Sequence, residues 1–209
     1  MTPGPPAGAV LRPDLAVVAE WIEPASRVLD IGCGDGALLA HLVATKEVDG
    51  RGIELSQSGV NACVAHGLSV IQGDADTDLV DYPDDAFDVA VLSQTVQAMR
   101  DPRRVLVEML RIARCAIVSF DNFGHWRARL GLLLRGRVPV SAALDHAWYA
   151  TPNIHPCTVF DFLDLCRELG FGVSRAVTIG GDGPVVAIRG RGHGANLFGR
   201  LAVFQLCRG

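Results

Sequence analysis

The chain has six cysteines, at positions 33, 63, 115, 157, 166 and 207, and no two of them form a C-x-x-C pair. That spacing speaks against a zinc cage or a disulfide framework, and the expected setting is a reducing cytoplasm. No apolar run approaches the roughly 18 residues that a membrane span requires. The opening MTPGPPAGAV lacks both a basic n-region and an apolar h-region, so no signal peptide is expected. Lysine is almost missing: Lys46 stands alone and every other basic residue is arginine. A net charge of −4 argues against a general nucleic-acid binder.

What is present is a globular composition, 49% apolar and 20% charged over 209 residues. That length suits one domain with a full core, expected over residues 12–209 after a loose tail at 1–11 rich in proline, glycine and alanine. Charge is unevenly placed. Residues 72–88 hold seven acids and no Lys or Arg, whereas Asn122 to Leu144 hold four arginines (Arg127, Arg129, Arg135, Arg137) and no acid.

DLAVVAEWIE (14–23) places Leu15, Val18, Ala19 and Ile22 on one helical face, with Asp14 able to cap it and Pro24 to stop it. RVLDIG (27–32) reads as a short buried strand and GALLAHLVAT (36–45) as a helix. GRGIEL (50–55) is a second strand, SQSGVNACVAHG (56–67) a second helix and LSVIQGD (68–74) a third strand. After a polar stretch, FDVAVLS (87–93) is a fourth strand. DPRRVLVEMLRIA (101–113) opens with an Asp cap and a proline in the first turn, and CAIVSF (115–120) is the fifth strand. CTVFDFLDLCRELGF (157–171) is a helix capped by Thr158, with Asp161 in its first turn and Gly170 at its end. GVSRAVTIG and RLAVFQLCR read as two closing strands joined by a glycine-rich stretch. Strands alternating with helices of this length predict a parallel sheet built from βαβ units.

VLDIGCGDG (28–36) carries the chemistry. Alternating glycines after a strand let the backbone pass close to a ligand at the amino end of the next helix. Gly32-x-Gly34-x-x-Ala37 also fits a degenerate dinucleotide fingerprint, and Glu54, about 20 residues on, fits a ribose contact in either case. Asp30 favours a different ligand, because a carboxylate there repels a pyrophosphate and attracts the ammonium of a methionine moiety. Asp74, in QGDAD after the third strand, can accept from an adenine amino group with Ala75 beside it.

This set of D-x-G-x-G-x-G, an acid ending strand two and G-D after strand three resembles the class I S-adenosylmethionine-dependent methyltransferases over roughly residues 25–120. The resemblance implies a Rossmann-like α/β fold, with a mostly parallel seven-stranded sheet, an antiparallel last strand and helices on both faces. It implies S-adenosylmethionine or S-adenosylhomocysteine as cofactor, held by Asp30, Gly32, Gly34, Glu54, Leu55, Asp74, Ala75 and Ser93, with no metal.

A catalyst is harder to find. SQTVQAM (93–99), which should face the methyl group, is not the Asn/Asp-Pro-Pro-aromatic motif of enzymes that methylate nucleic-acid amino groups. Cys157 sits in a Pro-Cys pair but too late in the chain for a cytosine-type nucleophile, and Cys33 has no histidine placed to activate it. Candidate bases are His125, His146, Tyr149 and His155, each equally readable as a packed or capping side chain. Asp121 and Asn122 are better placed, since ligands gather at strand carboxyl ends in such sheets. Asp121 and His125 are the catalytic candidates carried forward.

A more specific resemblance comes from SFDNFGHWRARLGLLLRGRVPVSAAL and WYATPNIHPCTVFDFLDLCRELG, together with DLAVVAEWIEPASRVLDIGCGDG and LSQTVQAM. These segments are similar to the methionine biosynthesis protein MetW family from about Leu11 to Gly170. The resemblance implies a role in methionine biosynthesis beside the MetX homoserine O-acyltransferase as partner, with residues 121–157 as a cap or partner segment. Asp121 stands where the family usually has proline, and GIELS (52–56) keeps Glu54 but lacks a second acid of the family pattern. Three functions follow for comparison. The first is a cofactor-binding partner of the acyltransferase, and the second a free-standing methyltransferase acting on a small metabolite. The third, a nucleic-acid methyltransferase, is disfavoured by charge and motif.

Overall fold

The computed structural model describes residues 11–137, 151, 153–180, 185–189 and 192–208. Residues 1–10 of the expected 1–11 tail, and the candidate bases His146 and Tyr149, lie outside the described residues. The chain opens with α1 (Pro13–Trp21), β1 (Arg27–Ile31), α2 (Ala37–Lys46), β2 (Asp49–Glu54), α3 (Gln57–Ala65) and β3 (Ser69–Gln72). A short helix α4 (Ala75–Asp78) and one 3-10 turn precede β4 (Phe87–Ser93), α5 (Pro102–Ile112) and β5 (Ala113–Asp121). Then come α6 (Trp126–Arg135), α7 (Val159–Glu168), β6 (Phe171–Ile179), β7 (Val185–Ala187), α8 (His193–Phe198) and β8 (Leu201–Arg208).

The strands form one sheet in the order β3-β2-β1-β4-β5-β8-β6-β7. β1 to β5 are mutually parallel, and β8 runs antiparallel between β5 and β6. From β1 the chain winds outward through β2 and β3, then returns to the other side of β1 for β4. The carboxyl ends of β1 and β4 therefore flank the switch point, where a crevice opens in sheets of this kind. The apolar runs that predicted the central strands are buried: Val28, Leu29 and Ile31 on β1 and Ala90, Val91 and Leu92 on β4 are all inaccessible.

Helix starts follow their caps. Asp101 accepts from the Arg104 amide at 3.0 Å, and Thr158 and Asp161 form a reciprocal capping box on α7. Leu15, Val18, Ala19 and Ile22 are buried, as their shared face predicts. The lone lysine closes α1, with Lys46 Nζ donating to the Ala19 and Ile22 carbonyls at 2.6 and 2.5 Å.

Two expectations are corrected. The sheet has eight strands rather than seven, because three residues of the glycine-rich stretch, β7, pair antiparallel with the open edge of β6. Asp14 does not cap α1, whose N-cap is Arg12; its side chain is fully buried against the sheet instead.

Candidate functional site

The glycine loop joins β1 to α2 with three left-handed residues, Gly32, Gly34 and Gly36, at φ of 71°, 58° and 80°. A Cβ on Gly36 would lie 2.5 Å from Leu68 Cδ1, whereas one on Gly34 would meet nothing within 4 Å. Gly36 is thus fixed by packing, and Gly34 borders open space. Cys33, between Gly32 and Gly34, is buried; burial and the nearby Asp30 push its thiol up, away from the thiolate a nucleophile needs.

Asp30 near the end of β1 is 3% exposed and accepts no hydrogen bond among the described residues. Burial raises its carboxyl to about 7, partly offset by the Arg12 guanidinium and reinforced by Glu54. A buried carboxylate that takes no donor from these residues suits a cation such as the ammonium of an amino-acid ligand. Glu54, ending β2, accepts from the Gly34 amide at 2.9 Å and from both the amide and hydroxyl of Ser56 at 2.8 Å. Its carboxylate thereby ties the glycine loop to the start of α3. Leu55 follows with 65% of its surface exposed, an apolar platform beside that carboxylate.

The Gly73 amide bonds the Glu54 carbonyl at 3.0 Å, so Asp74 and Ala75 begin next to the β2 end. Asp74 is already engaged: one oxygen accepts from the Asp76 amide as the cap of α4, and the other pairs with Arg100 at 3.0 Å. An adenine amino group there would share this carboxylate with an exposed, movable arginine.

Ser93, ending β4, belongs to a constellation that sequence reasoning found only in part. Its hydroxyl accepts from Arg12 Nη2 at 2.8 Å and donates to Asp14 Oδ2 at 3.0 Å. Ser119, opposite it on β5, donates to the same Asp14 oxygen at 2.9 Å. Asp14 is inaccessible, and its other oxygen has no hydrogen-bond partner among the described residues. The signal available in the sequence was an Arg and an Asp two apart at the start of α1, but a helix cap explained the acid equally well.

Most of the described catalytic candidates make structural contacts. His125 caps α6, its Nδ1 accepting from the Arg127 amide at 3.3 Å, and burial with Arg127 and Arg200 holds its pKa below the usual histidine value. Asn122 bridges the main chain of residues 196 and 199 to the start of α7, donating to two carbonyls and accepting from the Gly124 and Val159 amides. Gln97 receives the Ile154 and His155 amides at 2.9 Å on its carbonyl and donates from its side chain to the Asp121 carbonyl at 3.1 Å. His155 Nε2 lies 3.3 Å from the Arg100 carbonyl. The Cys157 thiol is raised to about 12, chiefly by burial, which supports its structural reading. Asp121 is buried at the β5 carboxyl end. No group of three or more His, Cys, Asp or Glu side chains that could hold a metal occurs among the described residues.

Helix α6 stands apart from this scaffold. None of its residues is buried, and Leu132, Leu133 and Leu134 are 53%, 79% and 73% exposed. Arg127 lies over the Trp126 ring at 5.3 Å. No helix among the described residues is long and apolar enough to cross a membrane.

The family described as methionine biosynthesis protein MetW matches residues 12–206. A bifunctional methionine biosynthesis protein MetXA/MetW from Rhodopirellula baltica is 34% identical over 184 residues, covering 84% of this chain and 30% of that protein. Ajmaline N-methyltransferase from Rauvolfia serpentina is 31% identical over 94 residues, 41% of this chain and 32% of that enzyme. The chain thus spans about a third of the length of these two relatives. A Thermotoga maritima SAM-dependent methyltransferase, described as a possible histamine N-methyltransferase, superposes with a TM-score of 0.67 at 22% identity, covering 94% of this chain and 88% of that one. That likeness establishes the methyltransferase fold.

Proposed function

The chain belongs to the MetW family of methionine biosynthesis proteins, and from that membership we propose that it binds S-adenosylmethionine or S-adenosylhomocysteine and supports a homoserine O-acyltransferase as a partner subunit. The observation that carries this reading is the bifunctional relative, in which a MetW segment like this chain shares one polypeptide with MetXA. Two activities joined in one relative and separate in another are brought together most simply by a complex.

The cofactor half rests on the crevice between β1 and β4. Asp30 would take the ammonium, the Gly34 backbone would leave room for the thioether region, Glu54 would accept from ribose hydroxyls, and Leu55 and Asp74 would flank the adenine, with Ala75 and Ser93 at the margins. The bound group supplies an electrophilic methyl in methyltransferases of this fold. Here Asp30 and Glu54 would orient it. The partner half rests on α6 and the segment 121–157 that contains it. An exposed leucine face edged by arginines matches an interface better than a substrate pocket. A reducing, cytoplasmic setting belongs to the same reading.

The test is the acylation rate of the homoserine acyltransferase from the same genome, with and without this purified chain. A rise of tenfold or more with co-elution supports the proposal. No rise and no complex removes the partner role.

A further inference from the structure

The methionine end of an S-adenosyl ligand carries two charges, and only one of them is met by Asp30. We propose that Arg12 receives the other, binding the α-carboxylate of the cofactor, and that Asp14, Ser93 and Ser119 are the frame that aims it. This assignment rests on the cofactor reading above.

Arg12 is the residue before α1, and its guanidinium reaches the carboxyl end of β4 to bond Ser93. Ser93 lies one step beyond the Leu92–Ile31 pairing, which puts it level with Gly32 across the switch point. Thr95, two residues on, sits against Gly32, where an added Cβ would come within 2.9 Å of it. The guanidinium therefore stands on the β4 side of the crevice whose β1 side holds Asp30, and its field reaches that carboxylate.

The frame is built and not incidental. Asp14 is a carboxylate with no solvent access, and a buried charge persists only with opposite charge and donors nearby. It has both: the Ser93 and Ser119 hydroxyls, and Arg12 at 3.3 Å. Ser119 is itself fixed by accepting from the Gln94 amide at 3.2 Å. Arg12 spends only Nη2 on this frame, so Nε and Nη1 make no hydrogen bond among the described residues. Its side chain is 51% exposed. Either remaining N–H donor can give one charge-assisted hydrogen bond to a carboxylate oxygen.

The experiment pairs ligands with variants. S-adenosylhomocysteine, its decarboxylated analogue and 5′-methylthioadenosine, which lacks the amino-acid end, are titrated by calorimetry into the wild type, Arg12→Gln and Arg12→Lys. In the wild type the decarboxylated analogue is expected to bind about 10- to 100-fold more weakly than S-adenosylhomocysteine, the scale of a charge-assisted pair. Arg12→Gln should erase that difference while methylthioadenosine affinity stays within about twofold, and Arg12→Lys should fall between. Equal wild-type affinity for the two amino-acid ligands overturns the assignment, and this needs no variant to fold. So does an Arg12→Gln that weakens methylthioadenosine as much as S-adenosylhomocysteine, because Arg12 would then serve only the frame. A wild type that binds none of the three ligands removes the cofactor reading itself, and this assignment with it.

Discussion

The Gly34 amide donates to Glu54 Oε2 at 2.9 Å, joining two residues twenty apart in sequence. The same carboxylate also takes two bonds from Ser56. An acid expected to face a ribose is therefore also the brace of the glycine loop, and the two tasks share its oxygens.

Replacing Glu54 tests both tasks at once. Glu54→Gln keeps one acceptor oxygen and should leave the fold intact, yet it loses the charged acceptor for ribose hydroxyls. S-adenosylhomocysteine should bind at least about tenfold more weakly, in line with hydrogen bonds to charged groups. Glu54→Ala also strands the Gly34 and Ser56 amides and should lower the melting temperature by several degrees. Titration calorimetry and a thermal melt separate the two effects.

Asp30 makes the protein sensitive to pH in a direction opposite to most acids. Its folded carboxyl titrates near 7 against an unfolded value near 3.8, so between those pH values the native state holds a proton that the unfolded chain releases. This group's contribution therefore falls as pH rises from about 4 to about 7, and Asp30→Asn removes that loss. The variant should gain on the order of 2–4 kcal/mol over the wild type at pH 8 and nothing at pH 4, read from urea melts. It should also lose the ligand. In the wild type an incoming ammonium favours the charged carboxylate, so binding at pH 6 should release a proton, measurable in buffers of different ionisation enthalpy.

The strands, the helix caps and the glycine turn were legible because each has a local cause: apolar runs, an Asp or Thr before a helix, glycines at left-handed positions. The position of Glu54 at the end of β2 and of Asp30 near the end of β1 followed from the same apolar runs. The constellation around Asp14 was not, since its partners are 79 and 105 residues away and the acid alone fits a helix cap. Gln97 gave no signal either; its importance lies in a buried position clamping residues 153–155 over the β5 end. β7 was hidden by glycines on both sides, and only an open sheet edge makes three such residues a strand.

Gly34 and Gly36 should answer alanine differently despite similar backbones. Gly36→Ala adds a methyl against Leu68 and Cys63 at a left-handed position and should destabilise the fold by roughly 2–5 kcal/mol. Gly34→Ala meets open space, so it should cost only about 1–2 kcal/mol of backbone strain. Its methyl, however, would project where the ligand passes. A Gly34 variant that folds but fails to bind S-adenosylhomocysteine locates the ligand; one that binds normally moves it elsewhere.

Helix α6 should matter to the partner and to nothing else. Leu133 and Leu134 are 79% and 73% exposed, so replacing both with glutamate removes almost no packing from the free protein. The melting temperature and the affinity for S-adenosylhomocysteine should not change. If the arginine-edged leucine face docks on the acyltransferase, two desolvated carboxylates at its centre would each cost several kcal/mol in the complex. Stimulation of acylation should then drop at least about tenfold, and a Leu133→Ala variant should show a smaller loss of the same sign. Because both leucines are largely exposed, the outcome divides the two halves of the protein. Lost stimulation with intact ligand binding places docking on α6 and keeps the cofactor site as a separate input. Full stimulation by the double glutamate variant would put the partner surface elsewhere on the chain.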